Sequence, residues 1–126
     1  MKKNILVVDD ESSIRESLSG ILRDEGYEVS VAVDGVTALK KVEEDPPDLI
    51  FLDIMMPVFD GYETCERMRN DPNIPEKLPI IFLTATEEDP RRIEQVGGSD
   101  YLTKRHMIAE LQDMLVRHLG PKAFTE

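Results

Sequence analysis

Four short apolar segments of this chain each end at a side chain that can take part in chemistry. Residues 5–8 precede Asp9 and Asp10, residues 49–52 precede Asp53, residues 80–83 precede Thr84, and residues 101–103 precede Lys104. Such continuous β-branched and apolar segments are typical of buried parallel strands, and ligands of open α/β sheets bind outside the carboxyl ends of the strands. We therefore expect the three aspartates, the threonine and the lysine to lie in one pocket.

Three carboxylates in one pocket repel one another and lose hydration unless a cation lies among them. The pattern therefore predicts a divalent metal site. The simpler alternative is that each aspartate only caps the helix or turn after its strand. That explanation suffices for any one aspartate, but it leaves the combination with Thr84 and Lys104 unexplained.

The residues around these strand ends resemble the receiver domain of two-component response regulators. The motifs are Val-Val-Asp-Asp-Glu at residues 7–11, Leu-Asp-Ile-Met-Met-Pro-Val-Phe-Asp-Gly at residues 52–61, Thr-Ala at residues 84–85, and Asp-Tyr-Leu-Thr-Lys at residues 100–104. They occur in the order and with the spacing of that family, and the resemblance extends from about residue 3 to residue 119.

This resemblance implies that Asp53 is the phosphoacceptor, receiving a phosphoryl group from the phosphohistidine of a sensor histidine kinase or phosphotransfer protein. It also implies Mg²⁺ held by Asp10, Asp53 and the backbone carbonyl of Met55, with Asp9 acting mainly through metal-bound water. The chemistry agrees, because Mg²⁺ prefers oxygen ligands and carboxylates are known phosphoryl acceptors. The Lys104 ammonium would pair with the phosphoryl oxygens. By this interpretation the chain is a signalling phosphoacceptor and not an enzyme acting on other substrates.

Thr84 and Tyr101 are the switch residues that the resemblance implies. The Thr84 hydroxyl would bond the phosphoryl oxygen, and Tyr101 would turn inward to follow it, so that phosphorylation alters the surface offered to a downstream effector protein or output domain. Tyr101 could instead be an ordinary aromatic at the edge of the core.

Two features depart from the family pattern. Arg105 stands where most receivers have a proline that forms a cis peptide, and a non-proline cis bond costs about 2.5–4 kcal/mol. The Lys104-Arg105 bond is therefore either trans, with a different loop placing Lys104, or strained. The segment between Thr84 and Lys104 is also a residue or two shorter than usual. Many receivers dimerise or dock their outputs through the face that contains this segment, so the departures weaken the expectation of a family-typical homodimer. They also keep open a pseudo-receiver, an interaction module that keeps the fold without phosphorylation.

A haloacid dehalogenase-type phosphatase is the alternative from another class, since it also forms an aspartyl phosphate beside Mg²⁺. Its chemistry requires a second aspartate two residues after the nucleophile as general acid and base. Met55 occupies that position after Asp53. The sequence thus disfavours this phosphatase.

Strand and helix patterns alternate along the chain, which predicts an α/β fold with a doubly wound, five-stranded parallel sheet and helices on both faces. The resemblance supplies the flavodoxin-like strand order 2-1-3-4-5. We expect a capping box of Ser13 and Glu16 at the first helix, a second strand over residues 27–31, and an N-cap at Asp89. One receiver domain should occupy residues 1–120, with residues 121–126 as a tail or the start of a linker.

Composition limits the partners. The net charge is −11, which argues against direct nucleic-acid binding and favours a basic protein surface as partner, unless the charge mainly serves solubility. Cys65 is the only cysteine, so an internal disulfide is excluded, and its helical position predicts core packing. No segment resembles a signal peptide or a membrane span, and we therefore expect a cytoplasmic location without membrane contact.

Overall fold

The computed structural model describes residues 2–121 as five strands alternating with five helices. The strands are β1 (Asn4–Val8), β2 (Glu28–Ala32), β3 (Leu49–Asp53), β4 (Ile80–Thr84) and β5 (Asp100–Thr103). The helices are α1 (Ser12–Asp24), α2 (Gly35–Glu44), α3 (Gly61–Asn70), α4 (Pro90–Gln95) and α5 (Met107–Leu119).

All strand pairs are parallel, and the sheet order is β2-β1-β3-β4-β5. The predicted flavodoxin-like, doubly wound fold is therefore confirmed. Apolar side chains from the two faces of the sheet form two separate core clusters. One cluster packs against α2, α3 and α4 and the other against α1 and α5, so helices cover both faces.

The register of the sheet brings the predicted site residues to one edge. Val8 is paired with Leu52, so Asp9 follows β1 beside the position at which Asp53 ends β3. Thr84 is paired with Thr103, which places Lys104 just beyond it. Because parallel strands have their carboxyl ends at the same edge of the sheet, the residues that directly follow these strands meet there and form the pocket.

The local helix predictions have mixed outcomes. The N-cap at Asp89 is confirmed, since its carboxylate accepts the Arg91 N–H at 2.9 Å. The capping box of Ser13 and Glu16 is wrong, because Glu11 is the N-cap and the helix begins at Ser12 without a side-chain cap. Asp9 Oδ1 accepts the Glu11 N–H at 2.9 Å, which turns the chain into the helix before Ser13 is reached.

Strand β2 runs over Glu28–Ala32 and not over residues 27–31. The shift arises because Tyr27 still takes part in the turn that closes α1, where its N–H donates to the Leu22 carbonyl. The prediction of a tail at residues 121–126 lies, apart from Pro121, outside the described residues.

The Lys104-Arg105 bond is trans, since residues 2–121 contain no cis peptide. A turn occupies the position at which most receivers have a cis-proline loop: the Lys104 N–H donates to the Thr84 carbonyl at 2.7 Å, and the His106 N–H donates to the Thr103 carbonyl at 3.0 Å. Lys104 is thus fixed by one backbone bond to the end of the neighbouring strand β4 and by the turn that follows β5. The shortened segment between Thr84 and Lys104 contains a fourth helix, α4, of only six residues.

Candidate functional site

Asp9, Asp10 and Asp53 form an acidic cluster at the carboxyl edge of the sheet. One carboxylate oxygen from each lies within 4.8 Å of the others. Asp9 and Asp53 are buried, with Asp53 only 2% exposed, whereas Asp10 lies at the surface. The predicted convergence of the three aspartates is therefore present, in a pocket open to solvent on the side of Asp10.

Lys104 extends from the end of β5 into this cluster. Its Nζ lies 3.1 Å from Asp9 Oδ2, 3.3 Å from Asp53 Oδ1 and 2.9 Å from Glu11 Oε1. Burial alone would lower the pKa of Lys104, but the bonds to Glu11 and Asp9 outweigh it and raise the pKa. Lys104 is therefore a permanent cation, but a single ammonium cannot balance four neighbouring carboxylates.

The surroundings of Asp53 oppose the ionisation of its carboxyl group. Burial, followed by the nearby Asp9 carboxylate, raises the pKa of Asp53 to about 7, although Lys104 acts in the opposite direction. Its Oδ2 is buried and has no hydrogen-bond partner among the described residues. Asp9 Oδ2 also lacks a hydrogen bond, but the Lys104 ammonium compensates its charge.

The donor set fits a hard divalent cation. An unpaired buried carboxylate oxygen is costly in a protein, and oxygen ligands from one or two carboxylates are what Mg²⁺ accepts while it keeps several waters. Asp10 and Asp53 could supply such oxygens from the open side of the pocket. A cation there would also offset the repulsion between Asp9 and Asp53.

The loop after β3 approaches Asp53 closely. The Met55 N–H donates to Asp53 Oδ1 at 3.2 Å, and the Gly61 N–H donates to the Ile54 carbonyl at 2.8 Å. A Cβ atom at Gly61 would lie 2.3 Å from the Asp53 carbonyl oxygen. Only glycine therefore allows α3 to begin so near Asp53. The Met55 side chain is 76% exposed at the rim of the pocket.

Thr84 and Tyr101 are both bonded to the loop that follows β4. Thr84 is buried, and its Oγ1 lies 3.0 Å from the Thr86 carbonyl and 3.2 Å from Glu88 Oε2. The Tyr101 hydroxyl donates to Glu87 at 2.7 Å, while its half-buried ring packs against a core cluster. Tyr101 thus has the packing of an edge aromatic and also a contact with the loop between β4 and α4.

Residues outside the pocket have structural roles. Cys65 is buried, as expected, and its thiol lies 3.3 Å from the Val96 carbonyl. His106 lies at the surface, while His118 is half-buried at 3.2 Å from Asp100. Sequence reasoning missed this pair because residues 100 and 118 show no local spacing signal.

Three polar residues of the site were also missed. They are Glu11, which bonds Lys104; Glu88, which bonds Thr84; and Arg15, whose Nη1 donates to the Asp9 carbonyl at 2.9 Å. Glu11 directly follows the Asp-Asp pair, and that position alone could have signalled it. The other two contacts depend on how α1 and the β4–α4 loop fold over the pocket.

The model of the response regulator receiver domain family matches residues 5–116 of the chain. This chain belongs to that family, the receivers of two-component phosphorelay signalling. The comparisons favour neither the phosphatase nor the pseudo-receiver alternative.

The chain is similar to the alkaline phosphatase synthesis transcriptional regulatory protein PhoP of Bacillus subtilis, with 46% identity over 82% of this chain and 43% of that protein. It thus spans about half the length of the curated relatives it matches. Among solved structures, Vibrio cholerae chemotaxis protein CheY4 has a TM-score of 0.87 and 33% identity, covering 94% of this chain and 99% of that one.

A second solved structure is the receiver domain of sensor histidine kinase PA1611 from Pseudomonas aeruginosa PAO1, which has a magnesium ion coordinated in its active site cleft. It has a TM-score of 0.84 and 35% identity and covers 96% of this chain and all of that one. Across residues 2–121 no helix is long and apolar enough to cross a membrane.

Proposed function

We propose that the chain receives a phosphoryl group on Asp53 from the phosphohistidine of a sensor histidine kinase or phosphotransfer protein. The observation that carries the proposal is Asp53 Oδ2, a buried oxygen without a hydrogen bond at the end of β3, while a lysine pairs the other oxygen at 3.3 Å. Such an oxygen is poorly solvated and has a free lone pair, as a nucleophile requires.

In the proposed step, an Asp53 carboxylate oxygen attacks phosphorus. The new O–P bond forms as the N–P bond to the donor imidazole breaks, and the imidazole nitrogen leaves with the electron pair and takes up a proton. Lys104 would pair with the phosphoryl oxygens and offset their charge. Asp9 would lose its direct pairing with Lys104 as that ammonium moves toward phosphorus.

Mg²⁺ is the cofactor of the proposal: Asp10, Asp53 and the backbone carbonyl of Met55 would hold it, and Asp9 would act mainly through a water on the ion. When bound, the ion supplies positive charge that offsets the charge of the transferring group. The magnesium ion in the similar receiver of PA1611 supports this choice. Asp10, the exposed member of the cluster, is the residue best placed to hold a hydrated ion.

The output is proposed as a change in protein contacts. Phosphorylation would draw the Thr84 hydroxyl toward Asp53 and release the loop that Thr84 and Tyr101 now contact. The partner would be an effector protein or an output domain, or a second copy of the chain, and a basic surface suits the net charge of −11. The same charge disfavours direct contact with nucleic acid.

The metal part of the proposal can be tested by thermal unfolding with and without Mg²⁺. A ligand that binds only the folded chain stabilises it by RT ln(1 + [L]/Kd), so the melting temperature should rise with Mg²⁺ concentration. Asp10→Ala should remove this rise. The matched control, Asp113→Asn, changes an exposed aspartate of α5 and should leave the rise intact. A full rise in Asp10→Ala would place the metal elsewhere.

The phosphoacceptor part can be tested with acetyl phosphate as a small phosphodonor. The parent chain should take up one phosphoryl group when Mg²⁺ is present, and Asp53→Asn should take up none. Lys104→Ala should fold but be phosphorylated far more slowly, because the charge partner of the transferring group is gone. Equal uptake by the parent and Asp53→Asn would refute the assignment.

A further inference from the structure

The loop between β4 and α4 contains a glutamate whose two carboxylate oxygens are both occupied. Glu88 Oε1 accepts the hydroxyl of Tyr62, and Glu88 Oε2 lies 3.0 Å from the Thr86 hydroxyl and 3.2 Å from the Thr84 hydroxyl. We call these four residues, Glu88, Tyr62, Thr84 and Thr86, the Glu88 cluster. It joins the end of β4 to α3 through one carboxylate.

Tyr62 fixes the position of this carboxylate. It is buried on α3, with its ring 5.2 Å from that of Phe82 on β4. The guanidinium of Arg92 lies over the Tyr62 ring, 4.1 Å from its centre. The Tyr62 hydroxyl is thus held by packing on a rigid helix, and the bond it donates restricts where Glu88 can place its second oxygen.

The Thr84 hydroxyl has one proton, and its present acceptors all belong to the loop. It can donate to the Thr86 carbonyl or to Glu88, and it also accepts the Thr86 N–H at 3.2 Å. Hydrogen bonds to a carboxylate are about twice as strong as neutral ones. A phosphoryl oxygen on Asp53 would compete with Glu88 for this one proton.

We propose that Glu88 is a positioning residue that holds Thr84 in its unphosphorylated arrangement, so that the Thr84–Glu88 bond must break when the switch operates. This inference rests on the proposed roles of Asp53 and Thr84. Removing Glu88 then lowers the cost of the switched arrangement. A ligand that requires the switched arrangement binds more tightly when that arrangement is more populated.

The experiment measures the affinity of the chain for beryllofluoride in Mg²⁺, since beryllofluoride mimics a phosphoryl group on a carboxylate. The chain has no tryptophan whose fluorescence could report binding, so the affinity is measured by titration calorimetry. Glu88→Ala should bind beryllofluoride about tenfold more tightly, as expected for removing one charge-assisted bond that the switch must break. Its melting temperature without ligand should fall. A purely structural role for Glu88 would lower both stability and affinity.

Two variants isolate the contact. Glu94→Gln removes an equal charge from the exposed face of α4 and should change the affinity less than twofold. Glu88→Gln keeps the shape of the side chain and one acceptor oxygen, so it should fold even if Glu88→Ala does not. Its affinity for beryllofluoride should lie between those of the parent and Glu88→Ala. In a Thr84→Val background, Glu88→Gln should change the affinity less than twofold, because there is no hydroxyl left to hold.

Unchanged or weaker binding by the Glu88 variants overturns the inference. An equal gain in the Thr84→Val background also overturns it, since the effect would then come from net charge alone. If the parent binds beryllofluoride no better than Asp53→Asn, the proposed function fails and the inference fails with it. If the parent binds beryllofluoride but the Glu88 variants change its affinity no more than Glu94→Gln does, the proposed function stands and the inference alone fails.

Discussion

Val58 occupies a backbone conformation that suits glycine. Its φ is 68°, and no other non-glycine residue among residues 2–121 has a positive φ. A β-branched residue in the left-handed region is an outlier, and such conformations cost about 1–3 kcal/mol. The Val58 side chain is 80% exposed, so burial does little to offset this cost. We therefore predict that Val58→Gly stabilises the fold.

The expected gain follows from three contributions. Relief of the backbone conformation contributes about 1–3 kcal/mol. Glycine gives the unfolded chain more conformational entropy, which costs about 0.4–1 kcal/mol of stability. Loss of the buried fifth of the Val58 side chain costs about 0.3–0.6 kcal/mol. The central values leave a net gain of about 1 kcal/mol, which corresponds to a rise of about 3–5 °C in melting temperature for a domain of this size.

Urea unfolding in EDTA measures this gain without a contribution from metal binding. The midpoint should rise in Val58→Gly while the slope of free energy against urea stays unchanged. Two further variants test the cause. Val58→Asn should also be stabilised, because asparagine tolerates the left-handed region, whereas Val58→Ala keeps a Cβ atom and should gain little. A Val58→Ala chain as stable as Val58→Gly would refute the explanation by backbone strain.

Three more substitutions test separate parts of the structure. Burial opposes ionisation of Asp100, but the hydrogen bonds from His118 and Arg117 outweigh it and lower its pKa. The resulting stabilisation is complete above the unfolded pKa of about 3.9 and is lost as pH falls through the lower folded pKa. In urea titrations Asp100→Asn should therefore be less stable than the parent at pH 7, and the two chains should approach the same stability in strong acid. Gly61→Ala places a Cβ atom 2.3 Å from the Asp53 carbonyl, and its urea midpoint should fall by an amount equivalent to about 1–3 kcal/mol. Ser19 Oγ is buried without a hydrogen-bond partner among the described residues, so Ser19→Ala should raise the free energy of unfolding by about 1 kcal/mol, which the same titration would detect.

The parts of the fold that depend on local signals could be predicted from the sequence. The buried strands are continuous apolar segments, and the parallel sheet brings their carboxyl ends together, so Asp53 and Lys104 could be assigned to one pocket before the structure was known. Asp89 could be identified as an N-cap because capping involves neighbouring residues only. The capping box predicted at Ser13 and Glu16 is wrong, because the Asp9 carboxylate turns the chain into α1 before Ser13.

The other contacts depend on tertiary structure and leave no local pattern. Glu88 reaches Tyr62 across 26 positions of sequence, and the contact exists only because α3 lies beside the β4–α4 loop. The turn that places Lys104 without a cis peptide relies on the Thr84 carbonyl of the neighbouring strand. Val58 gave no signal at all, because a β-branched residue argues against the conformation it adopts.

The position of the phosphoryl group is the most direct test of the account. The chain would be treated with acetyl phosphate and Mg²⁺, reduced with borohydride to convert an acyl phosphate into a stable homoserine, and mapped by peptide mass spectrometry. We predict one modified residue per chain, Asp53, and none when EDTA replaces Mg²⁺. Modification of Asp9 or Asp10 instead, or equal modification in EDTA, would contradict the central claim that Asp53 is a metal-dependent phosphoacceptor.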